Sequence, residues 1–212
     1  MTGVSSHTVC WLVRHGQTAW NREGRYLSRT DLELTPFGRR QAEAVGQRLK
    51  RQPITVVVHS GMRQTEETTG VIIAGLACSP RVELDASWRE GNLGRWEGQS
   101  YPTVLERYPC EAQARFADPF NVAPEGGESL SAVRERILAA WHALLARHGG
   151  GRILLVTHAT PIQFVVCEML GVGHARYWQL RVDLGSVTAV DLYPSAAIIR
   201  TLNEAPRLVR EH

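Results

Sequence analysis

Three short runs of apolar residues constrain this chain more than any other feature: Val9–Val13, Ile54–Val58 and Ile153–Val156. Each is far too short to cross a membrane, which takes about 20 residues. None alternates with polar residues, so each reads as a strand buried on both faces. Longer stretches with helical spacing lie between them. Thr35 caps a helix that Pro36 opens and that runs to about Arg51, where Pro53 stops it. A second helix spans about Arg63–Ala77, a third carries the stripe Leu130, Val133, Ile137, Trp141, Leu144 and Leu145, and a fourth spans Pro161–Leu170. Val187–Leu192 and Ile198–Leu202 read as closing strands. The alternation predicts an α/β fold, a three-layer sandwich with a mainly parallel central sheet and helices on both faces. Residues 80–127 are irregular apart from a short helix near Thr103–Tyr108, and are read as a small inserted lid subdomain within a single 212-residue domain.

Composition narrows the class further. At 43% hydrophobic and 21% charged residues the chain is globular, and a net charge of +3 gives no argument for a nucleic-acid partner. Lys50 is the only lysine, so nearly all positive charge is guanidinium, the better fork for phosphate and carboxylate. The four cysteines form no CxxC pair and no zinc spacing, and Met1–His7 has no secretory pattern, so reduced thiols and a cytoplasmic location are expected.

Ligands of parallel sheets gather at the carboxyl ends of the strands. Arg14-His15-Gly16 follows the first strand, His59-Ser60 with Arg63 follows the second, and His158 follows the third. If the strands are parallel neighbours, histidines and arginines converge on one rim. Such a set, poor in carboxylates, suits an anion better than a metal, and a neutral imidazole can attack phosphorus.

Longer motifs carry a resemblance. Leu12–Asn21 contains Arg14-His15-Gly16; Leu34-Thr35-Pro36-Phe37-Gly38 is followed by Gln41-Ala42; Glu90 precedes Gly94-Arg95-Trp96-Glu97-Gly98; Gly127-Glu128-Ser129 and Val156-Thr157-His158 follow. In this order the set resembles the histidine phosphatase superfamily, also called phosphoglycerate mutase-like, over nearly the whole chain. The resemblance implies that His15 is a nucleophile carrying a transient phosphohistidine. Arg14, Asn21 and His158 would hold the phosphate, and Glu90 would be the general acid and then base. Gly16 would turn the backbone beneath the imidazole, Glu97 would sit in a structural turn, and His59 behind the site. Glu128 and Ser129 would start a helix. No metal and no cofactor are implied, since Arg and His supply the positive charge.

The chain departs from that family at Gln64 and, slightly, at Ala159 and Thr160, which stand where glycines are frequent, and at Gln163, where an arginine is common. Anchoring on Ser60 and Thr68 puts Gln64 where a second phosphate-gripping arginine is usual, and Arg63 is expected to serve instead. The function expected is a metal-independent phosphomonoesterase acting on small phosphorylated metabolites, with a likeness to α-ribazole phosphatases around Asp118–Ser129. The alternatives are a phosphoglycerate mutase, or a catalytically weak module that binds phosphorylated ligands. The lid aromatics Trp88, Trp96, Tyr101, Tyr108, Phe116 and Phe120 would suit an apolar or aromatic leaving group, or equally simple packing. No membrane partner is expected, and the sheet edges leave pairing with a second copy open.

Overall fold

A computed structural model describes residues 7–206 and Leu208. The sheet is built from β1 (Thr8–Arg14), β2 (Val56–His59), β3 (Arg81–Leu84), β4 (Arg152–Thr157), β5 (Val187–Tyr193) and β6 (Ala196–Glu204). Their order is β3-β2-β4-β1-β5-β6. The four strands β3, β2, β4 and β1 run parallel, and β5 and β6 close one side antiparallel. The buried runs of the sequence are therefore central neighbours. Arg14 pairs with Thr157 and His59 with Val156, so their carboxyl ends lie level.

Alternate strand residues feed two cores. Val9, Trp11, Val13, Val57, Leu154 and Val156 pack under α2 (Pro36–Leu49) and α3 (Arg63–Gly75), through Val45, Leu49 and Ile72. Cys10, Leu12, Val56, Val58, Ile153 and Leu155 pack under α6 (Leu130–His148) and α7 (Ala159–Leu170), through Ile137, Leu144, Phe164 and Val165. This is the expected three-layer sandwich, with a short α1 (Ala19–Arg22) after β1. Thr35 caps α2 by accepting from the Gly38 N–H, and Ser129 caps α6 by accepting from that of Ala132.

The stretch read as an irregular insert is more ordered than expected. Arg81–Leu84 is the edge strand β3 and so belongs to the sheet. Its side chains are mostly exposed, so it lacks the apolar run that marks a central strand. Beyond it, α4 (Tyr101–Arg107) matches the expected short helix, and α5 (Pro109–Ala117) follows it directly. Trp96, Val104 and Ala112 give this region a small core of its own, joined by Tyr26 and Tyr108.

Candidate active site

Both the loop after β1 and the start of α7 end on the same cavity of about 310 Å³. Arg14, His15, Asn21, Glu90 and His158 all line it. His15 is buried, and its ring centroid lies 5.1 Å from that of His158. His15 Nδ1 is 2.8 Å from the Gly16 carbonyl oxygen. A carbonyl only accepts, so Nδ1 carries the proton and Nε2 keeps its lone pair. Burial, then the Arg14 charge, push the His15 pKa down to about 3, against the pull of the Gly16 carbonyl. Burial, then His15 and Arg14, hold His158 well below its ordinary value. Both rings are thus neutral near pH 7.

The loops are tied so that these groups stay in place. The Thr68 hydroxyl accepts from the Gly16 N–H at 3.0 Å, pinning the nucleophile loop to α3. Gly16 and Gly38 touch: a Cβ on Gly16 would stand 2.4 Å from the Gly38 carbonyl oxygen, so only glycine permits this approach. Asn21 Oδ1 accepts from both the N–H and the hydroxyl of Thr18, which directs its NH2 elsewhere. His158 Nε2 lies 2.9 Å from Ser60 Oγ, which in turn meets Thr65 Oγ1 at 3.0 Å.

Glu90 is held by two backbone donors. Oε1 accepts from the Gly91 N–H at 2.9 Å and Oε2 from that of Thr160 at 3.2 Å. Arg136 donates to the carbonyls of Ser87 and Arg89, fixing the loop that carries Glu90. Glu128 binds Arg29 and Arg136 and accepts from the Asn92 N–H, so it braces this wall instead of merely starting α6. Burial opposes its ionisation, but the Asn92 N–H and the two arginines outweigh it and keep its pKa low. Glu97 accepts from the N–H groups of Ser28, Arg29 and Thr30 and does not line the cavity. It is the anchor of a turn.

One expectation about the site needs correction. Arg63 does not line the cavity. It opens α3 with a side chain 52% exposed, bound to Glu33 and Glu67 on the outside. Gln64, about 100° further round the helix, points inward and is fully buried. Its Oε1 accepts from the Leu32 N–H, and its Nε2 has no partner among the described residues. Of the two uses read for the lid aromatics, packing is the one the structure shows. Trp88 is buried in the main core and Trp96 in the lid core, and none of the six lines the cavity among the described residues. The aromatic walls are Tyr26 and Tyr177 instead. His59 also lies off the cavity, accepting from the Gly61 N–H.

A paired imidazole and guanidinium on a parallel-sheet rim, with a carboxyl group opposite, is a phosphoryl-transfer constellation, and sequence comparison names its lineage. The profile of the histidine phosphatase superfamily (branch 1) matches residues 10–205. The chain belongs to that superfamily. Among its histidine phosphatase relatives is "Probable phosphoglycerate mutase GpmB" of Cronobacter sakazakii, 35% identical over 87% of this chain and 85% of that one. Another is "Phosphoserine phosphatase 1" of Hydrogenobacter thermophilus, 29% identical over 91% and 90%. The solved α-ribazole phosphatase of Shigella flexneri superposes with a TM-score of 0.82 over 96% of this chain and 100% of that one; at 23% identity the likeness speaks for the fold. The superfamily assignment makes this chain a phosphatase or mutase-type enzyme. Arg115, Tyr177 and the backbone N–H of Thr160 were not picked out from sequence. Arg115 and Tyr177 stand outside every motif, in stretches without an apolar stripe.

Proposed function

We propose that this histidine phosphatase hydrolyses small phosphorylated metabolites in the cytoplasm through a phosphohistidine on His15, without a metal. The observation that carries the reading is the 2.8 Å contact between His15 Nδ1 and the Gly16 carbonyl, which leaves Nε2 unprotonated inside a cavity shared with Arg14 and Glu90. Arg14 donates one bond to the Val182 carbonyl at 2.8 Å, and its buried Nε has no protein partner among the described residues, so it can donate to a phosphate oxygen. The Asn21 NH2 offers another donor. The Thr65 hydroxyl donates to the Met62 carbonyl, so Ser60 donates to Thr65 and accepts from the Nε2–H of His158, which lines the cavity as a neutral ring.

In the first step Nε2 attacks phosphorus, the P–O bond to the leaving group breaks, and the Glu90 carboxyl gives that oxygen its proton. In the second, Glu90 as carboxylate takes a proton from water, the new hydroxide attacks phosphorus, and the P–N bond breaks. His15 and protonated Glu90 are regenerated with inorganic phosphate. Positioning and charge do most of this work, as is general for phosphoryl transfer.

Release of nitrophenol from 4-nitrophenyl phosphate tests the reading. The native protein is expected to turn over and to keep its rate in EDTA, while His15→Ala releases no more than background. No difference between the two proteins would favour the binding-module alternative. The likeness to the GpmB relative favours a second reading, mutase activity; that enzyme would interconvert phosphoglycerates with no net phosphate release.

A further inference from the structure

What orients the Arg14 guanidinium lies outside the cavity. Its Nη1 donates to the carbonyl of Val182, in the loop that leads into β5. That loop lies along the end of β1. The Gly185 N–H donates to the carbonyls of both Arg14 and His15 at 3.1 Å, and the Ser186 carbonyl accepts from the Arg14 N–H at 3.3 Å. The nucleophile and the arginine are thus both set against this loop.

One residue of β6 holds the loop in turn. Asn203 Oδ1 accepts from the Asp183 N–H at 2.7 Å, and Asn203 Nδ2 donates to Asp183 Oδ2 at 3.0 Å. Both ends of one amide therefore grip the residue that follows Val182. Arg181 also binds the Asp183 carboxylate, but through an exposed ion pair, which contributes little. The backbone of β6 is bent to place this amide. Ala189 pairs with Thr201 and Val187 with Glu204, so Thr188 faces two residues, Leu202 and Asn203. This is a β-bulge, which re-aims a side chain. Asn203 takes a φ of 54° there, and among the described residues no other non-glycine has a positive φ. Asparagine tolerates that left-handed conformation better than most side chains. Thr188 Oγ1 fixes the bulge by accepting from the Asn203 N–H at 3.2 Å. Asn203 itself does not line the cavity. A bulge, a left-handed residue and a two-ended amide all converge on the loop whose carbonyl aims Arg14, and strain of this kind is kept where function uses it.

We infer that Asn203 is a positioning residue for the phosphate-gripping Arg14: by clamping Asp183 it fixes the Val182 carbonyl and, through it, the guanidinium. This rests on the phosphatase reading above and adds to it a residue remote from the cavity. Asn203 touches neither the substrate nor the reacting atoms.

Asn203→Gly removes the amide and keeps a residue that accepts the positive φ. It is expected to lower kcat/KM on 4-nitrophenyl phosphate at least about tenfold and to raise the inhibition constant of inorganic phosphate at least about fivefold, since small misplacements of a binding group are costly. Urea midpoints show whether each variant is folded in the assay. A merely structural role would not depend on Arg14, so a double-mutant cycle separates the two. In an Arg14→Gln background, Asn203→Gly should change kcat/KM by less than about twofold. Native kinetics in folded Asn203→Gly, or an undiminished loss in the Arg14→Gln background, would overturn the inference and leave the phosphatase reading intact. Should either variant fail to fold, a swap decides. Asn203→Asp sets two carboxylates face to face and should lose activity. Adding Asp183→Asn reverses donor and acceptor across the clamp; recovery of most activity supports the inference, and no recovery rejects it. If no ester turns over in the native protein, the phosphatase reading itself has failed. Calorimetric binding of inorganic phosphate then judges the inference: affinity at least about fivefold weaker in Asn203→Gly supports it, and equal affinity, or no binding by the native protein, rejects it.

Discussion

At the scale of the residue, the chemistry depends on which way a few side chains are turned. A protonated Nδ1 makes His15 a nucleophile at Nε2, and Glu90 can serve only because two backbone N–H groups aim its carboxyl into the cavity. Arg63 shows the opposite case. One step along α3 separates a side chain facing Glu33 and Glu67 from the buried Gln64, which accepts from the Leu32 N–H, and proximity in sequence did not reveal which was which. The two residues should therefore respond differently to substitution. Glu90→Gln is expected to lower kcat by about 10²–10⁴ on esters of alcohols, and by less on 4-nitrophenyl phosphate, whose leaving group departs without help. Arg63→Ala is expected to change kcat/KM by less than about twofold, as an exposed pair contributes little. Steady-state kinetics on both esters checks this; a large loss in Arg63→Ala would return it to the phosphate site.

At the scale of the element, the site is a meeting of strand ends and loops. The three apolar runs, the Thr35 and Ser129 caps and the histidines after the strands were legible in sequence, because burial on both faces forces unbroken apolar composition. The edge strand β3 was not, since an exposed strand needs no such run. Nor was α5, whose inward positions are Ala112 and Arg115 and form no apolar stripe. Arg115 and its neighbours could therefore be found only in three dimensions. The loop after β1 makes a close contact where Gly16 lies against Gly38 at the start of α2. Gly16→Ala should push these backbones apart, destabilise the fold by about 1–3 kcal/mol and depress activity by more than the unfolded fraction explains. Chemical denaturation alongside kcat measures both. A stable, fully active variant would show that the close approach is not needed.

At the scale of the whole molecule, two neutral histidines inside a cationic site link stability to pH. In the unfolded chain each binds a proton below about pH 6.5. In the folded chain His15 does so only near pH 3 and His158 well below its ordinary value. The unfolded state therefore holds more protons between these limits, and stability falls as pH drops from about 6.5, by up to about 1.4 kcal/mol per pH unit for each histidine. Above pH 6.5 the pair has no effect. Urea midpoints at pH 7 and pH 5 should differ clearly in the native protein and less in His15→Gln. Identical pH dependence in the two proteins would mean that His15 is not held neutral by its surroundings.

The covalent intermediate offers the most direct test. Native protein mixed with a ³²P-labelled ester and quenched in alkali should carry label that survives base, is lost in mild acid and maps to the peptide bearing His15; His15→Ala should carry none. Label that is absent from the native protein during active turnover, or that maps to another residue, would contradict phosphoryl transfer through His15.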